Sequence, residues 1–109
     1  MPFKGKTVYI SGAVSSDPDF KAKFDRAEKH VMAAGAKRCI NPTSVLPDDW
    51  EYHEQMAHCM LMVQHSEVIA MLSCWSSSPG AKAERAYAES LKRIIVELPM
   101  EGISCPQHS

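Results

Sequence analysis

The chain has 109 residues, 45% of them hydrophobic and 23% charged, with a formal net charge of −1, the make-up of one soluble globular domain. So small a charge gives no global attraction to nucleic acid or an anionic membrane, and no apolar run reaches the length of a bilayer span. The N-terminus opens on a short strand-like run, not a basic region followed by a long apolar core, so no signal peptide is read and the expected location is cytoplasmic.

Lys6 to Ser11, KTVYIS, is β-prone and apolar in its middle and predicts a first strand buried on both faces. Gly12 and the loop AVSS follow. Asp17-Pro18 is a helix start, an N-cap with proline at the first helical position. Phe20, Phe24, Ala27, Val31 and Ala34 then recur at helical spacing, and Gly35 supplies a C-cap. Lys37 to Ile40 predicts a brief second strand, stopped by Asn41-Pro42. After a loop to about Pro47, Asp48 as N-cap and Glu51 three residues on predict a capping box. The helix it opens runs to about Gln64, with Tyr52, Met56, Met60 and Val63 as one stripe and MLMV as core filler. Glu67 to Leu72 predicts a third strand. Ser78-Pro79 repeats the N-cap and proline signature and opens a third helix. Arg93 to Leu98 predicts a fourth strand, ended by Pro99. The single domain spans residues 1–101, and the polar segment 102–109 reads as a flexible tail.

This order predicts an α/β fold: a three-layer, Rossmann-like (flavodoxin-like) parallel sheet of about four strands with helices on both faces. Ligands of such sheets sit beyond the carboxyl ends of the strands. The loops from Gly12 to Asp17 and from Ser73 to Ser78 both leave strands there, are Ser-rich, and lead into helix N-termini that favour an anion.

The third helix carries an anomaly. Its charged residues Lys82, Arg85, Glu89, Lys92 and Arg93 share one broad face. The opposite stripe is Ala81, Glu84, Ala88, Leu91 and Ile95, and Glu84 is its only charged member. A carboxylate there either escapes to solvent or a neighbouring lysine, or lines a cleft at the strand ends.

Trp75, Ser78, Gly80, Ala81 and Glu84 form the pattern W-x-x-S-x-G-A-x-x-E. With VYISG at residues 8–12 and Asn41-Pro42, it resembles the domain-of-unknown-function family 4406, common in phages and bacteria. That family looks like a small relative of the nucleoside 2-deoxyribosyltransferases and the 2′-deoxynucleoside 5′-phosphate N-hydrolases. The resemblance covers roughly residues 7–98. It implies that Glu84 attacks C1′ of the sugar, that Ser78 and Gly80 hold a 5′-phosphate, and that Tyr9 and Gly12 belong to the turn closing over the nucleotide. It also implies a homodimer. No cofactor is expected. Two positions depart from the pattern. Cys59 stands where the relatives carry an aspartate, and the loop AVSSD lacks the phosphate-binding arginine of the hydrolases, leaving Ser15 and Ser16 as weaker donors.

Other residues are open to two readings. Trp75 stacks on a base or caps the sheet edge. Trp50 and Tyr52 pack the second helix, and Glu67 is a solvated sheet-end group. His53, His58, Cys59 and His65 lack metal-ligand spacing, so no metal is expected. The four cysteines, Cys39, Cys59, Cys74 and Cys105, suit neither a zinc ribbon nor a disulfide framework and are read as free thiols. The expected function is cleavage or transfer at the N-glycosidic bond of a nucleoside 5′-monophosphate or nucleoside. The alternatives are a non-catalytic nucleotide-binding module and a phage accessory protein acting through protein contacts. The expected partner is a small-molecule nucleotide or nucleoside, with neither nucleic acid nor membrane.

Overall fold

The structure is a computed structural model and describes residues 2–13, 19–46, 49–73 and 75–98. Strand β1 (Thr7–Ser11) is followed by α1 (Phe20–Ala33), β2 (Arg38–Ile40), the one-turn α2 (Pro42–Val45), α3 (Tyr52–His65), β3 (Val68–Met71), a 3₁₀ turn at Trp75–Ser77, α4 (Pro79–Ser90) and β4 (Ile94–Glu97). The four strands form one parallel sheet in the order β2-β1-β3-β4. The α/β, Rossmann-like expectation therefore holds, and the order is that of a flavodoxin-like sheet up to its fourth strand. The chain steps outward from β1 to β2, then returns across β1 to β3. The crevice of such a fold opens where that direction reverses, at the carboxyl ends of β1 and β3.

Alternation along the strands divides the core in two. Val8 and Ile10 of β1, with Val68, Ala70 and Leu72, meet Phe24, Ala27 and Val31 of α1. Tyr9, Ile69 and Met71 point the other way, toward Cys59 and Val63 of α3 and Ala81 and Ala88 of α4. Helices on both faces keep the two central strands from water, so β3 is buried throughout and β1 nearly so. β4 is an edge strand, only partly buried.

Three local expectations are corrected. The first helix begins at Phe20 with Asp19 at its N-cap; Asp17 and Pro18 lie outside the described residues. The second long helix starts one turn later than its Asp48 signal. Glu51 is the N-cap, and Glu54 reaches back to accept from the Glu51 amide at 2.9 Å. Acidic residues at 48, 51 and 54 offer two overlapping capping boxes, and local spacing does not choose between them. The inward stripe of α3 is accordingly Met56, Cys59 and Val63, while Tyr52 and Leu61 are 64% and 52% exposed. Within MLMV only Val63 is fully buried. The stretch after Asn41, read as loop, contains α2.

The helix ends follow two versions of one device. After α1, Gly35 at φ +98° donates to the Met32 carbonyl, and Ala36 donates to Val31, closing a Schellman motif. After α4 the same bonds run from Lys92 to Glu89 and from Arg93 to Ala88, but Lys92 adopts φ +60° with a side chain. A left-handed non-glycine residue costs on the order of 1 kcal/mol. Lys92→Gly is expected to raise unfolding stability by about 0.5–1 kcal/mol, read as a higher denaturant midpoint at unchanged slope.

Candidate functional site

A cleft of about 380 Å³ opens at the carboxyl end of β1, walled by α1 and α2 on one side and by α3 and α4 on the other. Tyr9, Gly12, Cys59, Ser78, Gly80 and Glu84, six of the residues singled out from the sequence, all line it. Ser15 and Ser16 lie outside the described residues. Trp75 stands elsewhere: it packs against the α3/α4 side of the core, and the Arg85 guanidinium lies 4.4 Å over its ring. Arg85 is thereby drawn from the solvent face of α4 into the stack, and it also pairs with Glu97 at 3.0 Å.

Glu84 forms part of the floor. Ser78 caps α4 by accepting from the Ala81 amide at 3.2 Å, and Pro79 occupies the first helical position. Between one and two turns in, Glu84 faces the sheet between Ala81 and Ala88, both buried. Small side chains at those positions bring the helix close enough for the carboxylate to reach β1. There Ser11 Oγ donates to Oε1 at 2.6 Å, and Tyr9 Oη donates to Oε2 at 3.1 Å. Residues i and i+2 of a strand share a face, so one strand delivers both donors. Ser11 was not foreseen as a site residue. Its signal was a polar side chain on the buried central strand, in register with Tyr9.

The electrostatics follow from burial. Glu84 is 6% exposed, and desolvation raises its pKa above the ordinary carboxylate value, while the hydrogen bonds from Ser11 and Tyr9 pull it back down. Burial lifts the Tyr9 hydroxyl well above its usual range, and the neighbouring carboxylate adds to this. The Cys59 thiol is pushed up to about 12, chiefly by burial and then by Glu84. Tyr9 and Cys59 therefore remain neutral over the physiological range.

The walls are held by contacts of their own. Gly12 is required by close approach: a Cβ there would meet Leu72 Cδ1 at 2.6 Å. A Cβ on Gly80 would stand 3.2 Å from both Met56 Sδ and Tyr52 Oη, so the glycine lets α4 begin tightly against α3. Asn41 is buried and uses its whole side-chain amide. Its Nδ2 donates to Asp25 and Glu28 of α1 at 2.9 and 3.1 Å, and its Oδ1 accepts from the Thr43 amide and hydroxyl at 3.0 and 2.6 Å. Lys21 of α1 also lines the cleft, its ammonium donating to the Thr43 carbonyl at 3.3 Å. The rings of Trp50 and His58 meet at a tilt of 58°, with centroids 4.5 Å apart. Glu67 accepts from the Thr7 amide at 3.0 Å at the opposite, amino end of the sheet, as a sheet-end group.

Residues 6–97 match the domain of unknown function DUF4406. The chain belongs to that family. A comparison with curated proteins finds no match. Among the described residues of this DUF4406 domain, no group of three or more His, Cys, Asp or Glu side chains is placed to hold a metal ion, and no helix is long and apolar enough to cross a membrane.

The Glu84 pKa has a consequence for stability. In the window between the ordinary carboxylate value and the raised folded value, the folded state binds more protons than the unfolded one, so stability falls as pH rises through that window. Glu84→Gln removes this dependence while keeping the shape of the side chain. It is expected to be more stable than wild type at neutral pH, with the difference vanishing toward pH 4, as measured by denaturant unfolding across that range. A wild type as stable as the amide variant at neutral pH would contradict this.

Proposed function

We propose that this DUF4406 domain cleaves or transfers at the N-glycosidic bond of a nucleoside 5′-monophosphate, with Glu84 as nucleophile. The observation that carries the reading is a carboxylate, buried at the floor of an open cleft and gripped by neutral donors. Such a group is costly to a folded protein and suits a reaction that develops positive charge beside it. As the bond from C1′ to the base nitrogen stretches, the sugar gains oxocarbenium character. A Glu84 oxygen bonds to C1′ while the electron pair of the C–N bond leaves with the base. Water or a second base then takes the sugar. The apolar wall of Phe20, Phe24, Leu46 and Met56 suits a planar base. The resemblance to deoxyribosyltransferases and N-hydrolases supports the same chemistry, the 5′-phosphate role of Ser78 and Gly80, and assembly as a homodimer.

The preference for a phosphorylated substrate rests on Lys21, the one cationic side chain among the described residues that line the cleft. Its loss removes a charge-assisted contact worth about 1.5–3 kcal/mol. Lys21→Met is expected to lower kcat/KM for a monophosphate by roughly tenfold or more and to leave that for the matching nucleoside unchanged, as read by initial rates on the two substrates.

The central experiment incubates the protein with a panel of deoxynucleoside monophosphates and nucleosides and measures free base. Base release that falls by a factor on the order of 10⁴ in Glu84→Ala is the expected result. On the acid side, kcat/KM should rise with pH to a break above 4.5, the unshifted value for this carboxylate. No release from any substrate, or release undiminished by the substitution, overturns the reading. Cys59, which lines the cleft where the relatives' pattern has an aspartate, favours a second reading, a nucleotide-binding module without turnover; tight calorimetric binding of an unchanged nucleotide would establish it.

A further inference from the structure

We infer that Ser11 is a positioning residue: its hydroxyl clamps Oε1 of Glu84 and so makes Oε2 the oxygen that bonds to C1′. The bond to C1′ rests on the proposed function; the clamp on Oε1 does not.

The two oxygens of Glu84 are held unequally. Ser11 Oγ donates to Oε1 at 2.6 Å, in the short range of an O–H···O⁻ bond. Tyr9 Oη donates to Oε2 at 3.1 Å, at the outer end of the span for a hydroxyl donor. The closer donor is also firmly anchored. Ser11 is 1% exposed. It ends β1 in register with Met71 of β3, and its carbonyl accepts from the Leu72 amide at 2.8 Å. Its hydroxyl stands a single side-chain torsion away from that fixed backbone. Of the bonds that lower the raised Glu84 pKa, the one from Ser11 pulls hardest.

Forming an ester asks different things of the two oxygens. When one bonds to C1′, the electron pair of the C–N bond leaves with the base, and that oxygen becomes the bridging atom of the ester. The other becomes the carbonyl oxygen and stays a good hydrogen-bond acceptor. A bridging oxygen accepts poorly, so its donor is given up. Giving up the 3.1 Å bond from Tyr9 costs less than giving up the 2.6 Å bond from Ser11. Oε2 therefore attacks, and Ser11 keeps its bond to the carbonyl oxygen. In the second step, water or another base attacks C1′, the C1′–Oε2 pair returns to the carboxylate, and the incoming group's proton passes to the departed base or to solvent. Negative charge reappears on Oε1 and the Ser11 bond strengthens, so the clamp favours release of the sugar.

The titratable groups that share the cleft with Glu84, among the described residues, are Tyr9 from β1, Lys21 from α1, and Tyr52 and Cys59 from α3. Ser11 itself does not titrate, so its removal should appear directly in the titration of Glu84.

The test compares Ser11→Ala, which removes the clamp, with Ser11→Thr, which keeps a hydroxyl, and Tyr9→Phe, which removes the other donor. Each is read by ¹³C NMR titration of the Glu84 carboxyl carbon and by rapid-quench and steady-state base release. Ser11→Ala is expected to titrate at higher pH than wild type or Tyr9→Phe, and Ser11→Thr to restore the wild-type titration. Its base release should begin with a burst, the mark of an accumulating ester. The kcat that follows should be lower by about tenfold, the scale of one hydrogen bond to a charged group, with KM lowered alongside. The ester carbonyl stretch, seen by infrared after trapping with a nucleotide fluorinated at C2′, should rise in frequency in Ser11→Ala and keep its wild-type position in Tyr9→Phe. A stretch that moves in Tyr9→Phe instead gives the attack to Oε1 and overturns the inference. So does an unshifted Glu84 titration in folded Ser11→Ala. If that variant fails to fold, the Ser11 hydroxyl proton decides: it should resonate further downfield in wild type than in Glu84→Gln, and an equal position overturns the clamp. If no substrate releases base, the proposed function fails and the choice of attacking oxygen with it, while the titrations still decide whether Ser11 clamps the carboxylate.

Discussion

Taking Glu84 out of water is the demand around which the α3/α4 side of the molecule is arranged. An isolated buried carboxylate is strongly disfavoured, and among the described residues no salt bridge compensates it. Neutral donors do: Ser11 and Tyr9 from the centre of the sheet, with the neutral Cys59 thiol of the neighbouring helix in the same cleft. Each depends on a larger feature. The two hydroxyls share a face only because β1 is a regular strand, and β1 is dry only because helices cover both faces. The carboxylate reaches them only because Ala81 and Ala88 let α4 settle close to the sheet. The site is thus a product of the fold's packing and not an attachment to it.

The two faces of the sheet are built to different rules. Toward α1 the buried cluster, from Phe3 through Phe24 to Leu72, is aliphatic and aromatic, with the half-buried Cys39 packed against it. Toward α3 and α4 the same strand presents a phenol and a serine, and the helices answer with a thiol and a carboxylate. The first face is an apolar core, and the second carries the buried polar cluster that borders the cleft.

Much of this arrangement was legible in the sequence. Short β-prone runs marked all four strands and apolar periodicity the three long helices, because the central strands and each helix bury apolar side chains. Glu84 stood out because it broke that periodicity, and a carboxylate misplaced on an apolar stripe has few physical explanations. What was not legible depends on position in three dimensions. Ser11 becomes a site residue only when α4 crosses β1. Lys21 and Tyr52 become cleft residues only when α1 and α3 are set on opposite sides of it. The start of α3 was ambiguous because the acidic residues at 48, 51 and 54 repeat the same signal. Trp75 has the size and chemistry of a base-stacking residue, yet Arg85 covers its ring, and the one-dimensional pattern placed that arginine in solvent.

Asn41 shows how a sequence neighbour protects a buried contact over time. Its amide holds two carboxylates of α1 and both donors of Thr43, so conversion to aspartate would set a third negative group against Asp25 and Glu28. The usual route to that conversion begins when the backbone nitrogen of the following residue attacks the side-chain carbonyl and closes a succinimide ring. The following residue is Pro42, whose nitrogen carries no hydrogen to lose. The proline that starts α2 thus also closes the main path of chemical ageing for the amide that joins two walls of the cleft.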